Sequence, residues 1–266
     1  MKKHIIVPSV IAMLLVFFCG CAREMSRNNP FDPQNVTVTG GGGGSGSDSY
    51  TKLLLHMDGS NASTVFTDNS TFARTVTAFG GAAITTAQSV FGSASATFNG
   101  TSTYLTLPAS TDWDFDTGDF TIDFWVRRNG AQNYGGLITN TYNGQALEHG
   151  WSVIIYPTNN KVEFASGASG TYVADITSST ALTDNTWTHV AIVRHGNTLK
   201  MYLGGVENGS KDVTGLVYDS SGDVLIIGRY FVARSDYYFS GNIDEARISK
   251  GIARWTANFT PPTAAY

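Results

Sequence analysis

The chain has 266 residues, 42% of them hydrophobic and 14% charged, with 17 basic and 21 acidic side chains for a net charge of −4. An acidic surface without an extended basic run repels phosphate backbones, which excludes nucleic acid as a partner. Both cysteines, Cys19 and Cys21, fall near the start, so the rest of the chain offers no disulfide, Cys-ligated metal or thiol nucleophile.

Lys2 and Lys3 precede an apolar run over residues 5–18. It is shorter than the roughly 20 residues of a membrane-spanning helix but suits the h-region of a secretory signal. Gly20-Cys21 follows, an order that resembles the bacterial lipoprotein signal, in which the cysteine is acylated and becomes the mature N-terminus. The resemblance implies a signal peptide over 1–21, export, and a lipid anchor on Cys21. By resemblance to Gram-negative lipoproteins, Ala22, where Asp would favour the inner membrane, implies the outer membrane and cell surface. Without Lys2 and Lys3 the chain carries 15 basic against 21 acidic residues, a net charge of −6. The lipid, not a charged helix, therefore makes the membrane contact.

Residues 22–49 are polar and turn-rich, with Pro30, Pro33 and glycines 40–44. Such a segment cannot bury enough apolar surface to order itself and reads as a tether, with a reach of roughly 30 Å at ~5–6 Å × √n. Gly41, Gly43 and Gly46 spell a dinucleotide-binding pattern, but no strand leads in and no helix follows, so the match is low complexity.

From residue 50 to 266 Thr, Ser, Gly, Asn, Val and aromatics dominate, which favours strands. The stretch is long enough for one sandwich burying roughly 70–75% of its extended-chain surface. Alternation predicts strands over 52–57, 95–98, 104–107, 120–127, 151–156, 161–164, 189–194, 198–203 and 224–227. In 120–127, Phe120, Ile122, Phe124 and Val126 share one face, and Thr121, Asp123, Trp125 and Arg127 the other. Asn-Gly, Gly-Gly and Ser-Gly pairs at 99, 129, 143, 204, 208 and 221 read as turns. Only residues 250–255 look helical. The fold class is all-β, an antiparallel two-sheet jelly-roll sandwich.

Four stretches carry a family likeness. They are Leu53-Leu-Leu-His-Met-Asp58-Gly59 leading to Phe66-Thr-Asp68; Ser93-Ala-Ser-Ala-Thr-Phe98-Asn99-Gly100 with Tyr104-Leu; Gly118-Asp119-Phe120-Thr-Ile-Asp-Phe-Trp125-Val; and Trp187-Thr-His189-Val-Ala-Ile-Val-Arg194 with Phe239-Ser-Gly241-Asn-Ile243-Asp244-Glu245-Ala-Arg247-Ile. Over 50–266 the chain resembles a concanavalin A-like lectin/glucanase domain of the laminin-G-like branch. The resemblance implies two antiparallel sheets, one concave, and a structural calcium ion joining the first strand to the last. Its candidate ligands are Asp244, with Asp58 and the Asn99 turn nearby.

Fold alone does not assign function. Retaining glucanases need two carboxylates about 5–5.5 Å apart, seen on a strand as acidic residues two positions apart. None of Glu24, Glu148, Glu163, Glu207 and Glu245 has such a neighbour. Asp112, Asp114 and Asp116 alternate but read as a solvated loop. There is no Gly-x-Ser-x-Gly elbow and no zinc spacing among His56, His149 and His189. The reading is a non-catalytic module for glycans or a surface protein. A structural subunit of a surface complex and a divergent glycoside hydrolase are the alternatives. The outward row Asp123, Trp125, Arg127 is the candidate sugar platform, with Tyr134, Tyr142, Trp151, Tyr230, Tyr237 and Tyr238 as a rim.

Overall fold

The computed structural model describes residues 47–130, 133–141, 150–168, 171–219, 222–230 and 236–266. The signal peptide, Cys21, most of the tether and Tyr142 lie outside the described residues. The strands are β1 (Thr51–Leu55), β2 (Thr77–Phe79), β3 (Ala83–Thr85), β4 (Ser95–Asn99), β5 (Tyr104–Leu107), β6 (Phe120–Arg128), β7 (Gly135–Thr141) and β8 (Gly150–Ile155). They continue with β9 (Lys161–Ala168), β10 (Thr171–Ala181), β11 (Thr188–His195), β12 (Thr198–Leu203), β13 (Val206–Asp212), β14 (Leu225–Ile227) and β15 (Ser240–Lys250). Thr111–Trp113 forms a single 3-10 turn.

An eight-stranded sheet runs β13-β12-β11-β6-β15-β4-β3 with β1 also beside β15. A seven-stranded sheet runs β10-β9-β8-β7-β14-β5-β2. The two enclose one core, and the period of two decides which side chains enter it. Phe120, Ile122, Phe124 and Val126 of β6 are fully buried in that core, as their spacing predicts. Trp151 and Val153 of β8, Val162 and Phe164 of β9, and Leu225 and Ile227 of β14 meet them from the other sheet. Full burial of each such side chain stabilises by about 1.5–3 kcal/mol. Trp113 and Phe115 also belong to the core, so alternation in the Asp112–Asp116 stretch serves its aromatic residues. Phe115 stacks on Phe120 at 4.2 Å and on Trp151 at 5.2 Å, and the Trp151 indole donates to the Trp113 carbonyl at 2.8 Å. Trp151 is thus a core residue and not part of a binding rim.

Two further expectations are corrected. Asn208-Gly209 makes no turn but lies inside β13, where the register against β12 shifts between Met201 and Tyr202. The Asn208 amide oxygen accepts the Thr180 backbone N–H at 2.9 Å, and Gly209 lies against Ile176, so β10 holds the strand extended. Residues beyond Lys250 form no helix. The Thr121 hydroxyl donates to the Ile252 carbonyl and accepts from the Arg254 N–H, tying that segment to β6 instead.

β15 is central. On one side it pairs with β6. On the other it pairs first with β4, through Ser240–Ile243, and then with β1, through Ala246–Ser249. Between the two partners Glu245 adopts a left-handed φ of 49°, and the register against β6 shifts between Asp244 and Arg247. The Asp244 carboxylate fills the gap. One oxygen accepts the Val90 and Phe91 amides at 2.7 and 3.3 Å, and the other the Glu245 amide at 2.9 Å. Glu245 accepts from the Tyr266 N–H at 3.1 Å and holds His56 Nδ1 at 3.0 Å. Arg247 forms a bidentate pair with Asp123 at 3.1 and 2.9 Å.

Removing one partner of a buried ion pair strands the other charge, at about 3–5 kcal/mol. Asp123→Ala should lower stability by that amount, read as a fall in the urea midpoint. Burial, reinforced by Glu245 and opposed by the amide donors, pushes the Asp244 carboxyl up to about 7. The Glu245 hydrogen bond raises His56. Both shifts favour the folded state at low pH, because it holds protons that the unfolded chain, with ordinary values near ~4 and ~6.5, releases earlier. Melting temperature should therefore fall as pH rises from about 5 to about 8, and Asp244→Asn should flatten the lower part of that slope.

Candidate functional site

The outer face of the eight-stranded sheet carries the row Asp123, Trp125, Arg127, and it is covered. Residues 251–266 cross it as a strap. Trp255 and Phe259 stack on each other at 4.1 Å and meet His189 edge-on at 5.6 Å each. Tyr266 lays its ring against the Arg247 guanidinium at 3.8 Å and places its hydroxyl 2.9 Å from His189 Nε2. Asp123 is fully buried beneath this layer. Burial alone would raise its carboxyl, but Arg247 and His189 hold it well below the usual carboxylate range. Trp125 is half-buried, edge-on to Phe91 at 6.1 Å and to His189 at 5.3 Å. Arg127 is half-buried beside them. The three share a face, as alternation predicts, but form no open platform, because the strap and Phe91 pack over it. A shallow recess of about 190 Å³ lies at the strap's margin between His195, Lys200 and Trp255.

The outer face of the seven-stranded sheet is built differently. Leu225 and Ile227 of β14 enter the core, and Gly228, at φ 90°, turns the chain out. The next two residues fold over β7 at Gly136, where a Cβ would lie 2.1 Å from the Arg229 carbonyl carbon and the Tyr230 nitrogen. Only glycine admits that crossing. The Thr139 hydroxyl fixes it, 3.1 Å from the Arg229 carbonyl and 2.9 Å from that of Tyr230. The Tyr230 N–H donates to the Tyr237 carbonyl at 2.9 Å, and the two rings lie 5.9 Å apart, 18° from parallel. Tyr134, at φ 44°, brings its ring 4.8 Å from Tyr237 and 5.2 Å from Tyr156. Its hydrogen bond with Tyr156, with burial adding, pushes its hydroxyl up to about 12. Ile154 of β8, fully buried, is the floor beneath Tyr134, Tyr230 and Tyr237.

Glu163 of β9 sits in register beside Ile154, and Thr177 of β10 beside Glu163. Val162 and Phe164 point into the core, so Glu163 shares the tyrosines' side. It is 5% exposed; one oxygen accepts from the Thr177 hydroxyl at 3.2 Å, and the other has no hydrogen-bond partner among the described residues. Burial raises its carboxyl, with Thr177 opposing. A second group of rings lies toward the far edge. Phe79, 40% exposed, stacks on Tyr104 at 4.8 Å, Tyr104 lies 6.1 Å from Tyr238, and the Arg229 guanidinium covers Tyr104 and Tyr238 at 5.1 and 4.6 Å. The structure therefore brings together Tyr134, Tyr230 and Tyr237, all named from sequence, and adds Phe79, Tyr104, Tyr156 and Glu163. Alternation around Val162 and Phe164 signals the face of Glu163, but nothing local signals its burial.

The calcium ligands expected from the resemblance do not fit an ion. Both Asp244 oxygens face backbone N–H donors, which repel a cation as they bind the carboxylate. The Asn99 side-chain oxygen accepts three amides of its own turn, Thr101, Ser102 and Thr103. Asn99 pairs with Ser240, at the opposite end of that pairing from Ile243, so it does not share a site with Asp244. Asp58 is exposed and lies against Gly92. Among the described residues no three His, Cys, Asp or Glu side chains form a group that could hold a metal ion.

The sandwich is similar to the binding domain of Paraclostridial Mosquitocidal Protein 1, with a TM-score of 0.59 at 18% identity over 77% of this chain and 50% of that one. It is similar to domain 4 of AbnA, a GH43 extracellular arabinanase from Geobacillus stearothermophilus in complex with arabinotriose (TM-score 0.56, 17% identity, 76% of this chain, 93% of that one). The Botulinum Neurotoxin serotype G binding domain gives a TM-score of 0.55 at 17% identity, over 76% of this chain and 48% of that one. The chain thus spans about half the length of the two toxin domains, and at these identities the likeness shows the fold alone. No curated protein matches the chain in sequence. Residues 99–254, more than half of the chain, match Laminin_G_3, described as the Concanavalin A-like lectin/glucanases superfamily. The chain belongs to this laminin-G-like family of concanavalin A-like domains.

Proposed function

We propose that the domain is a non-catalytic glycan-binding module of the cell surface, anchored in the outer membrane through a lipid on Cys21 and projected by residues 22–49. The tyrosine face of the seven-stranded sheet carries the proposal. Tyr134, Tyr156 and Tyr237 form a layer of half-buried rings over the buried Tyr230 and Ile154, and sugar rings stack on such half-exposed rings while hydroxyls bond to neighbouring polar groups. The sugar oligomer in the arabinanase domain indicates that this fold accommodates such a ligand.

The placement of acids supports the non-catalytic part. Glu163 and Asp175, the buried carboxylates of β9 and β10, do not converge. Glu163 faces the tyrosines, whereas Asp175 lies toward Tyr218, a core residue, with Lys211 Nζ at 3.6 Å and neither of its oxygens hydrogen-bonded among the described residues. An acid and a nucleophile for retaining hydrolysis would have to lie about 5–5.5 Å apart across one bound sugar. Asp112, in the loop cluster, is held by Arg74.

Stacking in a shallow site binds weakly, with single-site affinities of about 1 mM to 1 μM, and many lipid-anchored copies would act together through avidity. On a carbohydrate array Tyr237→Ala should weaken retention about tenfold, the equivalent of ~1.4 kcal/mol, with melting unchanged. Trp125→Ala should do the reverse, lowering the melting temperature while leaving retention intact. Retention lost with Trp125 and indifferent to Tyr237 would return the site to the other sheet, and release of reducing sugar would defeat the non-catalytic reading. Cys21→Ser should move the protein from the membrane to the soluble fraction and end palmitate incorporation.

A further inference from the structure

We infer that the tyrosine face takes a glycan bearing free amino groups, with Glu163 as counter-ion to a protonated amine. The inference rests on the glycan-binding reading and adds the ligand's charge to it. Among the described residues each of the other buried acids has a cationic, imidazole or backbone N–H partner. Asp123 has Arg247, Glu245 has His56, Asp244 has three backbone amides, and Asp68 accepts the Leu54, Ser70 and Arg74 amides; Asp175 has no hydrogen bond among the described residues but keeps the charge of Lys211 at 3.6 Å. Glu163 has only the Thr177 hydroxyl, and its second oxygen is open. A buried acceptor without a donor costs about 1–3 kcal/mol, more when charged, so this position is incomplete without a donor from outside.

The surroundings select the donor's charge. Tyrosine faces are the negative side of the ring quadrupole and attract cations. Glu163 adds charge of the same sign, a small contribution beside the Tyr156 hydrogen bond at Tyr134 and beside burial at Tyr230. The chain as a whole carries −4. An ammonium supplies three donors and a positive charge, whereas a neutral hydroxyl supplies one donor and an anion is repelled. A sugar stacked on the half-buried Tyr134 and Tyr237 would present its substituents at the ring edge, and an amine there would lie on the side of the sheet where Glu163 acts on Tyr134.

The test compares a glucosamine hexamer with its fully N-acetylated counterpart by calorimetry on the full chain in detergent. The free amine should bind at least about tenfold more tightly (~1.4 kcal/mol), and the preference should disappear as pH rises through the amine's own pKa. Glu163→Gln, close to isosteric, should abolish the preference while the variant still melts cooperatively. The comparison of the two ligands on the native chain, with its pH dependence, needs no variant. Equal affinity for both hexamers, a pH-independent preference, or a preference that survives Glu163→Gln would overturn the inference. Neutral glycans retained through Tyr237 with no advantage for amines would remove it and leave the glycan reading standing. A chain that retains no glycan of either kind would remove both.

Discussion

β15 has to satisfy two different neighbours along one edge, and the eight-stranded sheet is organised around that demand. β4 ends its pairing at Ile243 and β1 begins at Ala246, so the strand crosses a gap where backbone groups would otherwise be left unpaired and buried, at real cost. The gap is closed by side chains. Asp244 accepts the amides of the loop before β4, and Glu245, turned by its left-handed backbone, reaches His56 and Tyr266. Carboxylates thus serve where a third strand would have supplied carbonyls, and burial raises the Asp244 carboxyl as a result.

The same strand decides which face of the molecule is closed. Arg247 must stay paired in a fully buried position, and Asp123 on β6 is the partner that the register supplies. A buried pair needs its remaining polar atoms satisfied and water kept out. The strap covers the pair with the Tyr266 ring on Arg247 and the Trp255–Phe259 stack over His189 and Tyr202, and the Tyr266 hydroxyl partners His189 Nε2. Electrostatics inside the sheet therefore consumes its outer surface, and a row of polar and aromatic side chains that would suit a ligand is spent on stability.

Among its described residues the seven-stranded sheet carries no comparable internal ion pair on its outer face, and that surface is taken up by aromatic residues. Its geometry depends on backbone more than on side-chain adhesion. Gly136 lets the chain cross β7, Thr139 fixes the crossing, and the Tyr230–Tyr237 hydrogen bond brings two rings nearly parallel. Rings held this way would lose little further freedom on binding the proposed ligand, and preorganisation of that kind is what raises affinity in a shallow site.

The strands at 104–107 and 198–203 and the inward rows of β6, β8 and β9 were legible from alternation alone, because a period of two maps directly onto the two faces of a sheet. The family motif around Asp244 was legible too, as were Tyr134, Tyr230 and Tyr237 as candidates. β7, β10 and β13 were not, since Gly, Thr and Asn supply no apolar period, and β13 was disguised by an Asn-Gly pair that the tertiary structure uses as a strand bulge. Alternation also names a face without naming what lies over it. Asp123 and Trp125 looked outward and lie under a strap more than 120 positions away in the chain, with Trp255 and Tyr266 in it, while Glu163, an acid with no acidic neighbour, became a buried group beside the tyrosine layer. Sequence by itself determined the sandwich and its core, because those follow from local periodicity. What came to lie over each outer face was decided only by long-range packing, where segments far apart in the chain compete to cover the same sheet.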